Sequence, residues 1–194
     1  MRFKGRDLGE AGVYLGLHLE RDSSARTLKV SQPAYTARLL CAHHMEDSKA
    51  RSIPMDANSK LSKGAGPALE GEERASYASL VGALLYLANC TRPDIAYATG
   101  CLARFMAQPA VQHMQVAKGV LRYLAGTMQQ GIIYSKQQGS IMGFGDADYA
   151  GCPDTRRSTT GYVFVCAGGA VSWCSKRQGV VALSTAEAEY VAAA

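Results

Sequence analysis

The sequence has no Cys-x-x-Cys pair, although it carries six cysteines: Cys41, Cys90, Cys101, Cys152, Cys166 and Cys174. Closely spaced thiol pairs mark zinc modules and redox motifs, so the chain reads as neither. The stretch CAHH at 41–44 has no second ligand pair at zinc-finger spacing. An apolar run of about 18 residues, the minimum for a spanning helix, is also missing. The opening MRFKGRDLGE contains no apolar stretch of the kind found in a secretory signal. The expectation is an intracellular chain in cytoplasm or nucleus, not secreted and with no membrane partner, whose thiols are reduced and mostly buried. No internal repeat is visible, and nowhere do two aspartates stand side by side.

What is present supports a folded protein. With 194 residues, 47% of them hydrophobic, the chain can bury a core as one domain or two small ones. The net charge of +5 is mildly basic. It fits a nucleic-acid partner without establishing one. Val13, Leu15, Leu17 and Leu19 alternate, RDSSAR turns and TLKVS returns, which predicts a hairpin. Pro33 then stands where a helix begins. Residues 51–72 are rich in Ser, Gly, Pro and Asn and predict a long surface loop or linker. Three amphipathic helices follow. Tyr77, Leu80, Val81, Leu84 and Leu85 form one stripe, Ile95, Ala98, Leu102 and Phe105 a second, and Val116, Val120 and Leu124 a third that stops at Gly126. Beyond Gly126 the period becomes that of strands: GIIYSK, SIMGFGDADYA, TTGYVFVCA, GAVSWCSK and GVVALS. KQQGS and AGGA read as hairpin turns, and TAEAEYVAAA as a closing helix.

Two acids raise the question of chemistry. Asp146 and Asp148 stand two apart in a predicted strand, so their side chains share a face. Like charges there imply either an exposed strand end or a cation between them. Glu187 lies three residues after Ser184, the spacing of a capping box, and that role alone explains it. Yet a strand carrying Asp146 and a helix opening near Glu187 can also bring two carboxylates together. Metal-dependent phosphodiester hydrolysis uses such clusters.

The run FGDADYAGCPDTRRSTTGYVFVCAGGAVSWCSKRQGVVALSTAEAEYVA resembles the start of the ribonuclease H domain of Ty1/copia-type retrotransposon Pol polyproteins. Upstream, DLGEAGVYLGLHLERD, SIPMD, YASLVGALLYLANCTRPDIAYA and VLRYLAGT resemble the segment after the polymerase active site of the same polyproteins. The resemblance covers nearly the whole chain. It implies an α+β protein: a small helical thumb and connection module, then an incomplete ribonuclease H-like mixed α/β domain of three antiparallel strands and a first helix. It divides the chain into the end of the polymerase palm (1–32), the thumb and connection (33–130) and the beginning of the nuclease (131–194).

It also implies residue roles. Asp146 and Glu187 match catalytic acids that bind Mg2+ or Mn2+, weakly in a piece of this length. Asp148 belongs to the pattern without being the usual ligand, and Glu189 is expected to face away around the helix. Gly82 and Tyr86, four apart, match a helix that tracks the minor groove of template–primer. Gly82 either admits a sugar or packs on another helix, and Tyr86 is either a contact surface or core. Arg92, Arg104, Lys118 and Arg122 are candidate phosphate contacts or solvated surface. Asp154, Arg156 and Arg157 lie in the strand 1–2 turn, which touches the hybrid backbone or is only a polar turn. The polymerase's adjacent aspartate pair and the nuclease's later acids have no counterpart, so the chain is expected to be inactive alone. Its implied partners are RNA–DNA hybrid or duplex and the rest of the polyprotein. The alternatives are a non-catalytic nucleic-acid-binding module and an inactive retrotransposon relic.

Overall fold

The computed structural model describes residues 9–56, 59–64, 66–136 and 140–194. The alternating stretch at 13–19 is not one strand. Leu15 and Gly16 adopt positive φ angles of 49° and 81°, the geometry of a two-residue hairpin turn that matches strand twist. Val13–Tyr14 (β1) therefore folds back on Leu17–Asp22 (β2), pairing Tyr14 with Leu17. Thr27–Ser31 (β3) returns as predicted, after a turn in which the Asp22 carboxylate accepts from Ser24 N, Ser24 Oγ and Ala25 N. The fourth strand of this sheet is Gly131–Ser135 (β4), antiparallel to β3 from Ser31↔Gly131 to Thr27↔Ser135. The segment GIIYSK, grouped by its pattern with the strands after it, thus completes the first sheet. The turn expected at KQQGS falls on 137–139, outside the described residues. The strands flanking it lie in different sheets.

The helices are Pro33–Ala42 (α1), Gly71–Cys90 (α2), Ala96–Ala103 (α3) and Val111–Gly126 (α4), with a single 3-10 turn at Pro93–Ile95 leading into α3. Their stripes build the core: Tyr77, Leu80, Val81, Leu84, Ile95, Ala98, Leu102, Phe105, Val120 and Leu124 are all buried. Leu85 and Val116 are packed at its margin. Residues 51–72 are a loop, but not merely a surface one. Met55, Leu61 and Leu69 plug into the same core, because three apolar side chains in a polar stretch gain most by leaving water.

The second sheet is the expected meander of Met142–Ala147 (β5), Thr159–Cys166 (β6) and Gly169–Arg177 (β7), in the order β5-β6-β7. Ala167 and Gly168, at φ 52° and 80°, close β6 on β7 where AGGA predicts a turn. Thr185–Ala193 (α5) follows. GVVALS is not a strand. Gln178 ends the sheet there, donating from its backbone to Ser158 O and from its side chain to Thr160 Oγ1 and Ala188 O. The meander is tied to the rest by Trp173 Nε1 donating to Ala88 O at 2.7 Å, Tyr134 Oη donating to Ala170 O at 2.7 Å and Lys63 N donating to the Asp154 carboxylate. Its faces are only partly covered, by α3 and α5, and Phe144 and Phe164 on it remain exposed. No helix among the described residues is long and apolar enough to cross a membrane.

Candidate functional site

Strand alternation decides where Asp146 points. A Cβ on Gly145 would face α5, 3.8 Å from Ala192 O. Asp146, next along β5, therefore points to the opposite face. There it lines a groove of about 590 Å³ whose other wall is Pro93, Asp94, Ala96 and Tyr97. Asp146 is exposed and forms no hydrogen bond or ion pair among the described residues. Asp148 is different. Its carboxylate accepts from Thr159 N and lies against Gly151, and its own N–H donates to Thr159 O. Of the two like charges on one face, one fixes the strand end and the other is available.

Glu187 sits in the first turn of α5 and is half-buried. Ser184 Oγ accepts from Glu187 N at 3.1 Å, and Glu187 Oε2 accepts from Leu183 N at 2.6 Å. The capping role is thus present, displaced by one residue from the usual reciprocal box. Glu189 is exposed. Magnesium takes one or two protein carboxylates and keeps several waters. Asp146 offers a free carboxylate and Glu187 one partly used, on elements packed together. No group of three His, Cys, Asp or Glu able to hold a metal exists among the described residues. Asp146 faces away from α5, which carries Glu187, so the described geometry does not bring the two carboxylates together as a metal site.

The residues named for nucleic acid separate into two kinds. Gly82 is exposed, and a Cβ there would meet nothing within 4 Å, so it serves no helix packing among the described residues. Tyr86 is 38% exposed rather than core. Its hydroxyl donates to Leu15 O at 3.4 Å and its ring meets the edge of Tyr35 at 5.0 Å. The two form an exposed stripe on α2 beside the β1–β2 turn. Arg92 corrects the sequence reading. It is 2% exposed and its guanidinium is spent on the Asp94 carboxylate, Thr127 O and Thr127 Oγ1, over the Tyr123 ring, so it is not placed to meet a phosphate. Burial pushes the Asp94 carboxyl up, but bonds and charge from Arg92 outweigh it and hold the group below its usual range. Arg104 is half-buried, donates to Cys101 O and stacks on Phe105. Arg122 donates to Lys49 O at 2.6 Å. Arg156 is exposed and Arg157 half-buried, while Asp154 holds the Lys63 backbone.

Three features escaped the sequence reading. His113 is fully buried in the first turn of α4, stacked on Phe105 at 4.0 Å. Its Nδ1 accepts from Ala110 N at 2.9 Å, which leaves Nε2 to donate to Ser62 O at 3.1 Å. Burial pushes the Cys152 thiol up, but hydrogen bonds from Thr155, Arg177 and nearby backbone outweigh it and bring it down from 9.0 to about 7. Cys101 and Cys152 are buried, Cys41 is exposed and the other three cysteines are half-buried, all as free thiols. Tyr97 rises to about 12, chiefly through burial. Each has a near partner, Ala110 for His113, Thr155 for Cys152 and Cys101 for Tyr97, and a distant one, Ser62, Arg177 and Asp148, that no local pattern shows.

The chain is 43% identical over 195 residues to the retrovirus-related Pol polyprotein from transposon TNT 1-94 of Nicotiana tabacum, an alignment covering 98% of this chain and 15% of that protein. It is 40% identical over 190 residues to the retrovirus-related Pol polyprotein from transposon RE1 of Arabidopsis thaliana, covering 97% of this chain and 13% of that one. To the uncharacterized mitochondrial protein AtMg00810 of Arabidopsis thaliana it is 36% identical over 195 residues, covering 99% of this chain and 78% of that protein. The chain therefore spans only about an eighth to a seventh of the Pol polyproteins it matches, 13% and 15% of their lengths. No family model and no solved structure matches it.

Proposed function

We propose that this chain, similar along nearly its whole length to retrovirus-related Pol polyproteins from transposons, is a part of such a copia-type polyprotein and holds template–primer and RNA–DNA hybrid within it. On this reading residues 1–32 end the palm, 33–130 are thumb and connection, and 131–194 begin the ribonuclease H domain. The observation that carries it is the exposed pair on α2. Gly82 opens into free space and Tyr86 presents a ring beside the Leu15–Gly16 turn. A backbone without Cβ lets a sugar edge approach closely, and the ring gives it a flat surface. Non-specific contacts of this kind act with basic side chains on phosphates, so affinity falls steeply as salt releases counterions. Fluorescence anisotropy of a labelled RNA–DNA hybrid is expected to show weak, sequence-independent binding that declines with salt. Gly82→Leu is expected to weaken it several-fold. Salt-independent binding, or none at low salt, would defeat the proposal.

The resemblance assigns Asp146 and Glu187 to the carboxylates that hold Mg2+ or Mn2+ in the whole nuclease; here Asp146 faces away from α5, so the pair would have to be brought together there. The metal's contribution there is an activated water and a stabilised leaving oxygen. Hybrid cleavage is expected only in a polyprotein piece extended beyond residue 194, and Asp146→Asn is expected to abolish it there while Asp148→Asn chiefly destabilises the strand end. Magnesium-dependent cleavage by residues 1–194 alone, or cleavage that survives Asp146→Asn, would show the assignment to be wrong.

A further inference from the structure

We propose that the groove between Pro93–Tyr97 and the second sheet binds a small planar organic cation, of the aromatic amidine or amine class. Its volume of about 590 Å³ lies within the range of ligand pockets, roughly 300–1,000 Å³. Its aromatic lining comes from four separate elements: Tyr97 from α3, Phe144 from β5, Tyr162 from β6 and Trp173 from β7. Tyr97 and Phe144 are 44% and 57% exposed, so a flat ligand covers rings that are now in water and removes their apolar surface from it. Trp173 is fixed in place by its bond to Ala88 O.

The charge of the groove selects the ligand further. Asp94, Asp146 and Asp148 line it, and no Lys, Arg or His does. Asp94 already has Arg92 behind it, and Asp148 has Thr159 N. Asp146 has no hydrogen-bond or ion-pair partner among the described residues. One carboxylate therefore remains uncompensated at the edge of an aromatic cleft. A phosphate-bearing ligand would meet repulsion there. A cation gains both the carboxylate and the ring faces, which attract positive charge through their quadrupoles. The shape asks for a ring, and the charge asks for a positive group at one end of it.

The protein has one tryptophan, and it lies in this groove, so binding reports on itself. Benzamidine and its neutral isostere benzamide serve as probes, titrated into the full chain with EDTA present. EDTA keeps the outcome independent of any metal at Asp146, and cleavage tests the nuclease reading separately. Trp173 fluorescence, checked by calorimetry, is expected to saturate with benzamidine at a concentration about tenfold or more below that for benzamide, the difference one uncompensated charge commonly makes. Asp146→Asn should bring benzamidine down to the level of benzamide. Since Asp146 is exposed and unbonded, the variant should melt with the wild type. Phe144→Ala should weaken both ligands. Equal binding of the two probes, no saturable response, or benzamidine affinity unchanged in Asp146→Asn would overturn the proposal.

Discussion

His113 holds three segments at once. Its Nδ1 takes the N–H of Ala110 ahead of α4, its Nε2–H reaches Ser62 in the loop, and its ring lies on Phe105 after α3. Both nitrogens are committed to the neutral form, so a proton on Nδ1 would break the bond to Ala110. Burial lowers the ring below its ordinary 6.5, and the charge of Arg104 adds to this, against opposing contributions from the bond to Ser62 and from Asp154. The unfolded chain thus takes up a proton near pH 6.5 that the folded chain refuses. Stability contributed by this group is complete above that pH and drains away as pH falls toward the lowered folded value. His43 is lowered too, chiefly by burial, and adds a slope of the same sign. Urea midpoints between pH 7.5 and 5.5 should fall less for His113→Asn than for the wild type, and His113→Ala should cost roughly 2–4 kcal/mol at pH 7.5. An unchanged pH slope in His113→Asn would remove the ring from this account. Residue roles of this kind were the least legible part of the sequence. Arg92 read as a phosphate contact because a sequence shows charge but not Thr127, whose carbonyl and hydroxyl absorb it. By residue type and spacing alone Asp146 and Asp148 read as a pair, and only the resemblance set Asp148 apart as not the usual ligand. The hydrogen bond from Thr159 N, formed only when β6 returns, separates their roles.

Among the elements, α2 carries an internal conflict. Gly82 is mid-helix and exposed, and a Cβ there would meet nothing within 4 Å among the described residues, where glycine costs about 1 kcal/mol relative to alanine. Gly82→Ala is therefore expected to raise stability by about that amount in chemical denaturation. The same change should weaken hybrid binding, since a methyl group then stands where the backbone was bare. A stabilised variant with unaltered hybrid affinity would leave this glycine without a function. The helices themselves were legible because each has a full apolar stripe, and a stripe of period 3.6 is a redundant signal. The hairpin was half legible. Alternation at 13–19 suits one strand or two joined by a turn, and the positive φ of Leu15 has no signature in its residue type. GVVALS has the composition of a strand. It lies beyond the edge fixed by Gln178, so tertiary bonding overrides its preference.

At the scale of the molecule, the main hydrophobic core lies among the helices and their loop, and the meander is attached through a few specific joints. One joint is the β6–β7 turn against β4. Ser135 N donates to Ala167 O, and a Cβ on Gly169 would fall 2.6 Å from the Tyr134 ring. Gly169→Val should prise these surfaces apart and cost roughly 1–3 kcal/mol. Limited proteolysis should then cut first in the meander, with the helical core surviving longer. Such joints are invisible to a pattern along the chain, since both partners read locally as ordinary strand residues. The grouping of β4 with the later strands failed for the same reason. Its pairing with β3, from Ser31↔Gly131 to Thr27↔Ser135, also sets an order in time. On the ribosome the hairpin emerges first, and β3 then waits with a bare edge until the helices have been made and residue 131 arrives. Pairings so distant in sequence form late, and an unpaired edge is the surface through which nascent chains find one another. Any product halted before β4 would carry that edge permanently, and its fate would be self-association.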